Sequence, residues 1–229
     1  VVMGLLFVLT LAASGGVPAA PMLAVLLGLL VLCVPASRLI ARVVEKKRHT
    51  FTIGGAFFCG LLAALPLILL VNGACARLGR PTLEPWVLLA ALAGGGVLGE
   101  GLGRLACISF GCCYGRPLDE CGHLTRALLA PIGFVFSAST RKAVYEGGLA
   151  GVRLVPVQGL TAAVLTITAL VATWLFFQER YRAAFLLCLL ASQGWRVLSE
   201  RLRADFRGYS MVSAYQKMGL AAVAYALAL

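Results

Sequence analysis

The sequence predicts an all-α protein: a polytopic membrane helical bundle of about seven transmembrane helices, with a small irregular head between the fourth and fifth. Three observations lead there. Hydrophobic residues make up 61% of the 229 and charged residues only 13%, with a mean hydropathy of +0.94, which leaves too little polar surface to coat a water-soluble globule. The apolar residues gather into several runs of about 20, the length a helix needs to cross a hydrocarbon core. The runs are continuous and rich in Leu and Ala rather than alternating. A backbone in lipid must satisfy its own polar groups, so continuous runs of this kind are helices and not barrel strands.

Spans are read near residues 1–14, 21–41, 53–73, 85–104, 157–177, 183–199 and 210–229. The first and last read as clipped, since the chain opens on Val1 and closes on Leu229 inside apolar runs, so residues of the full-length protein are expected beyond them. The first run has no charged flank before it, and no signal peptide is read there. The third span carries Gly54, Gly55, Gly60 and Pro66, and the fourth carries Gly94, Gly95 and Gly96. Such residues are common in membrane helices, and small ones let helices approach closely. Trp86 and Trp174 fit aromatic belts near span ends. Between the fourth and fifth spans, residues 105–156 hold Pro117, Pro131, Gly133, Gly147, Gly148 and Gly151 and no span-length apolar run. Within this head, 132–137 and 152–157 are β-compatible, and 139–145 suits one or two helical turns. The chain therefore reads as one transmembrane domain, 1–229, with 105–156 as an inserted head that bears a cysteine-rich motif.

Fifteen of the 20 Lys and Arg residues fall in the loops at 38–50, 104–155 and 196–208, all on one side of the predicted bundle. Taken alone, the positive-inside rule makes that face cytoplasmic. Arginines lining a site for a phosphorylated lipid would bias the same count. The net charge of +11 suits an anionic lipid surface or an anionic substrate; nucleic acid is excluded as a partner because the basic groups sit in short loops between spans. Lys46, Lys47, Arg48 and His49 read as an interfacial loop.

The most informative stretch is Gly103-Arg104-Leu105-Ala106-Cys107-Ile108-Ser109-Phe110-Gly111-Cys112-Cys113-Tyr114-Gly115-Arg116-Pro117. A span ends here in a glycine-punctuated loop with two arginines and three thiols, a composition suited to holding an anion at the membrane surface. Glu100, four residues before Arg104 on one helical face, is expected to orient it. Near the end of the sixth span, Arg196, Glu200 and Arg203 recur at i, i+4 and i+7, on one stripe if the helix continues that far. Two guanidiniums around one carboxylate leave a surplus positive charge, and arginine is suited to bidentate phosphate contacts.

Taken in order, Arg38 in SRLIARVV, the glycines of GGAFFCG, Gly103-Arg104 and Gly111 to Gly115 in GRLACISFGCCYG, Pro156 and Gln158 in LVPVQG, Arg196, Glu200 and Arg203, and Ser213 with Gln216 in VSAYQ resemble the prolipoprotein diacylglyceryl transferase family. Those are seven-helix bacterial membrane enzymes that move the diacylglyceryl group of phosphatidylglycerol onto the lipobox cysteine of a lipoprotein precursor. The resemblance implies that Arg104 and Arg196 bind the phosphate head group and that Glu200 helps to hold the second of them. It implies substrate contacts at Arg38, Cys59, Cys107, Gly115, Gln158, Arg203 and Gln216. It further implies a multi-pass protein of the bacterial inner membrane, a phosphatidylglycerol-like lipid and a lipoprotein precursor as partners, and a monomer.

The departures are as specific as the matches. Cys59, Cys107 and Cys112 stand where the family usually has histidine, asparagine and glutamate. Met3 replaces a tyrosine of the first span, and Val155 replaces the histidine of an HPTQLYE motif. The phosphate clamp thus resembles the family while the acid/base groups do not. Arg104 and Arg116 would favour a thiolate at Cys112 or Cys113, and Cys112 is the candidate nucleophile. Cys33, Cys75 and Cys188 read as small core residues. Cys107, Cys112, Cys113 and Cys121 can equally be structural disulfides or, with His123, metal ligands, but C-x4-C-C-x7-C-x-H lacks the paired C-x2-C form usual for zinc. No metal and no other cofactor is expected. The expected activity is diacylglyceryl transfer from a glycerophospholipid to a thiol or other acceptor, with Arg104, Cys112, Arg196 and Glu200 as the reacting set. The alternative is a noncatalytic lipid-binding or thiol-redox membrane protein on the same scaffold.

Overall fold

The computed structural model describes residues 2–44, 53–204 and 214–229. Lys46, Lys47, Arg48, His49 and Ser213 lie outside the described residues. Seven long helices stand where the sequence places its spans: α1 (Val2–Ser14), α2 (Ala19–Val44), α3 (Ile53–Arg77), α4 (Pro85–Phe110), α7 (Val157–Phe177), α8 (Tyr181–Glu200) and α9 (Ala214–Ala228). The protein is a multi-pass helical membrane bundle. By length and apolarity α2, α3, α4 and α7 can each cross a bilayer alone. Among the described residues α1 and α9 are shorter, and α8 carries Ser192, Gln193 and Arg196. The polar side chains of α8 explain its weaker apolar signal: Ser192 and Gln193 are buried against other helices instead of facing lipid.

α4 is the axis of the bundle, packing on α1, α7 and α8, while α2 lies along α3 and α9 joins α8 to α3. Of its apolar window 56% is buried, against 17% for α2, which turns Leu23, Leu27, Leu30 and Val31 outward. An outward apolar face is what lipid requires and what water would penalise. The close approach of α1 to α4 depends on the glycines read from the sequence. A Cβ on Gly95 would stand 2.7 Å from the Gly4 carbonyl oxygen, and one on Gly4 would stand 2.7 Å from that of Gly95. Gly95→Val is therefore expected to push α1 off α4 at a cost of about 1–3 kcal/mol, the usual range for overpacking, seen as a lower Tm of the detergent-purified protein. At the other end of the bundle, Asn72 donates through Nδ2 to the Leu83 carbonyl at 2.8 Å and accepts from its N–H at 2.7 Å, closing the α3–α4 turn. There Arg182 stacks over Trp86, 5.3 Å from the ring centre.

Between α4 and α7 the chain forms the irregular head. It contains α5 (His123–Leu129), α6 (Lys142–Tyr145) and a two-stranded antiparallel sheet, β1 (Phe134–Val135) with β2 (Arg153–Leu154), in the two stretches read as β-compatible. Tyr114, Phe136, Ala143 and Leu154 make its small core. Glu146 pairs with Lys142 at 3.3 Å and Tyr145 is 65% exposed, as suits a solvated loop.

Candidate functional site

The site starts where α4 stops. Gly111 takes a left-handed φ of +63°, a conformation that glycine adopts without penalty. Its N–H donates to the Ile108 carbonyl at 3.2 Å, and that of Cys112 donates to the Cys107 carbonyl at 3.2 Å. These are the paired bonds of a Schellman cap, in which the residue one past the glycine meets the residue four before it, usually through an apolar contact. Here those two residues are Cys112 and Cys107. Cys113 follows with φ +55°, a conformation uncommon for any residue with a Cβ. The sulfurs of Cys107, Cys112 and Cys113 all lie within 4.8 Å of one another.

About two turns deeper in α4 than Cys107, Glu100 holds two arginines on a single oxygen. Arg104 Nη2 donates to Glu100 Oε1 at 2.9 Å, and Arg196 Nη2, from α8, donates to the same oxygen at 3.0 Å. The side chains of Glu100, Arg104 and Arg196 are only 9%, 17% and 17% exposed. Arg104 also donates through Nη1 to Cys113 Sγ at 3.5 Å, so one guanidinium touches both the carboxylate and the thiol cluster. Beside Arg196 lies a small pocket between α3, α8 and α9, lined by Gly54, Phe57, Phe58, Gln193 and Met218.

Three segments clamp the loop that carries the thiols. The Arg116 N–H donates to the Leu202 carbonyl at 2.9 Å, the Ala204 N–H to that of Tyr114 at 3.2 Å, and the Val155 N–H to that of Arg116 at 2.9 Å. Gln158 Nε2 donates to the Cys112 carbonyl at 2.9 Å. Gln158 is 1% exposed, and its Oε1 is buried with no donor among the described residues. The clamp needs glycine at 115, because a Cβ there would collide with the Val155 carbonyl oxygen. Gly115→Ala is expected to lower stability by about 1–3 kcal/mol, measured as a drop in Tm with the far-UV helix signal retained.

The sequence-predicted residues divide into two groups. Arg104, Cys107, Cys112, Gly115, Gln158, Arg196 and Arg203 come together at the α4–α7–α8 end. Arg38 lies on α2 and Gln216 on α9, two residues before Met218 of the pocket beside Arg196, while Cys59 stands beside Cys33 at the α2–α3 seam, outside the trio of converging sulfurs. One expectation is corrected. The Arg196–Glu200–Arg203 stripe breaks because α8 ends at Glu200: the N–H groups of Leu202 and Arg203 donate three residues back, to Ser199 and Glu200, and Arg203 then pairs with Gly115 in a β-bridge. Glu100 holds Arg196, a partner that the resemblance did not name. Of the two thiols expected to carry a thiolate, the surroundings favour Cys113. Hydrogen bonds from Cys107 and Cys112, helped by the Arg203 and Arg104 charges, hold Cys113 well below the usual thiol range. Hydrogen bonding to Cys107 and then Cys113, with burial, pushes Cys112 up. The supporting cation besides Arg104 is thus Arg203; Arg116 turns its Nε to the Arg203 carbonyl at 3.3 Å.

Cys121 stands aside from the trio, its thiol donating to the Pro117 carbonyl at 3.4 Å. Cys75 and Cys188 are buried, as core residues should be. Sequence reasoning gave Glu100 a partner on its own helix and missed its reach to Arg196, 96 residues away. The available signal was a carboxylate standing alone in an apolar span, which at membrane depth marks function.

The prolipoprotein diacylglyceryl transferase family model matches residues 2–229. The chain belongs to that family. No curated protein and no solved structure matches it. As a family of transferases that use phospholipid and lipoprotein substrates, it agrees with the geometry at the end of α4: two arginines from different helices share one carboxylate, and an anion would balance the remaining charge.

Proposed function

We propose that the protein is a diacylglyceryl transferase of the bacterial inner membrane, taking a phosphatidylglycerol-like lipid and transferring its diacylglyceryl group to a thiol. The observation that carries this reading is the pair Arg104 and Arg196 on Glu100 Oε1, 2.9 and 3.0 Å away. Two cations against one carboxylate leave a single positive charge at low exposure, complementary to a phosphodiester. In the reaction the acceptor sulfur attacks the glycerol C3 carbon. The new S–C bond forms as the C3–O bond breaks, and the electron pair leaves on the phosphate oxygen of glycerol phosphate. Fixed guanidiniums aimed at that oxygen stabilise its growing charge without reorganising. Lipoprotein maturation is the process this reaction serves, with a lipoprotein precursor as the source of the thiol.

The test is release of glycerol phosphate from radiolabelled phosphatidylglycerol by the purified protein, given a cysteine-bearing lipobox peptide. Release that depends on the peptide, with label from the acyl chains appearing on it, is the expected result. Tight lipid binding without release across a panel of thiol acceptors would overturn the transferase reading.

A further inference from the structure

We propose that Cys107, Cys112 and Cys113 form a three-thiolate site for a zinc-class divalent cation, whose fourth position takes up and ionises the acceptor thiol. The activating role rests on the transferase reading above; the metal site stands on its own geometry. In a tetrahedral site with Zn–S of about 2.3 Å, neighbouring sulfurs stand about 3.8 Å apart. The three sulfurs, all within 4.8 Å of one another, need to close by only about 1 Å to reach that spacing. Two of them are paired by the Schellman cap at Gly111, so the spacing that looked wrong for zinc in the linear sequence is repaired by the chain folding back on itself. All three are half-buried, unlike the enclosed Cys75 and Cys188.

The electrostatics agree. Three thiolates around a divalent cation carry one net negative charge, and Arg104 Nη1, 3.5 Å from Cys113 Sγ, is placed to donate to it. With Cys121 engaged elsewhere, three protein ligands converge among the described residues and not four. Three ligands with an open fourth position is the arrangement of catalytic zinc, whereas structural zinc takes four. A buried acceptor is also at hand, the undonated Oε1 of Gln158, whose amide nitrogen is bonded to the Cys112 carbonyl.

The proposal answers a chemical need. An incoming thiol must lose its proton before its sulfur can attack, and the resemblance puts a carboxylate where this chain has Cys112. Coordination ionises a thiol outright. The proton leaves to solvent, the sulfur pair forms the bond to glycerol C3, and the C3–O pair departs on phosphate; nothing is oxidised or reduced. Arg104 spans the two halves, one Nη on the thiol cluster and the other on the carboxylate of the phosphate clamp.

The test uses the whole chain, purified reduced in detergent, with Zn2+ and Co2+ as probes. One zinc per chain is expected, together with a sulfur-to-cobalt charge-transfer band. Cys107→Ser, Cys112→Ser and Cys113→Ser should each weaken binding by about 10- to 100-fold or more, and Cys121→Ser should leave it unchanged. In the unmodified protein, which avoids any folding defect of the variants, zinc should protect those three of the eight cysteines from alkylation. Adding N-acetylcysteine methyl ester should shift the cobalt spectrum. Zinc content no higher than that of the triple serine variant, or protection of other cysteines, would overturn the site. A cobalt spectrum blind to added thiol would overturn the open position. Undiminished glycerol phosphate release after chelation would overturn the activating role while leaving the transferase reading intact; full zinc binding without transfer would strike the transferase reading alone.

Discussion

Arg104→Ala and Arg196→Ala are each expected to reduce phosphatidylglycerol turnover by about 30- to 4,000-fold, which corresponds to about 2–5 kcal/mol for truncating one member of a desolvated charge contact. Each substitution also alters the partner it leaves behind: without Arg104 or Arg196, Glu100 keeps one guanidinium, and the pocket loses its surplus positive charge. The site then loses the paired guanidiniums that would hold a phosphodiester. Lysine is expected to rescue only partly at either position, because a planar fork is replaced by a point charge. Arg182→Ala serves as the control, since Arg182 lies over Trp86 at the other end of the bundle. Turnover of labelled lipid is the measurement, with membrane insertion checked in parallel. Unchanged turnover in both alanine variants would remove the clamp from the mechanism.

Glu100→Gln is expected to be as damaging through a different route. The carboxylate is the tie between α4 and α8 at this depth, and its loss leaves two guanidiniums facing one another at low exposure. Breaking a buried charge set by removing one member costs about 3–5 kcal/mol, which should appear as a marked fall in Tm. The sign of a second effect distinguishes an anion site from a purely structural triad. With two uncompensated cations, the variant should gain more thermal stabilisation from added phosphatidylglycerol than the unmodified protein does, because a bound anion then replaces the missing carboxylate. Equal or smaller stabilisation by lipid would mean that no phosphate approaches these arginines.

The predominance of basic residues on one side also takes on a definite meaning. Arg104, Arg196 and Arg203 belong to the site or its wall, so on the proposed function part of the charge bias serves ligand binding rather than orientation in the membrane. The same lesson applies to the thiols. Cys107, Cys112 and Cys113 are spaced i, i+5 and i+6, a pattern with no meaning on a continuing helix. It becomes a cluster only because Gly111 reverses the chain.

The solvent, the class and the order of elements were legible in the residues alone. Apolar runs of span length, the head between 105 and 156 and the two β-compatible stretches follow from local composition and periodicity, which act over neighbouring residues and need no knowledge of the far chain. The family was legible too, since its signatures keep their order from Arg38 to Gln216. Only the tertiary structure decided which ions meet. Glu100 reaches Arg196 because α4 packs on α8, and Arg203 reaches Gly115 because α8 unwinds after Glu200 and its exit is stitched to the thiol loop. The helical stripe drawn from the sequence failed at that point for the same reason: residue spacing fixes direction only while the helix lasts, and its end is set by hydrogen bonds to residues some 87 positions away.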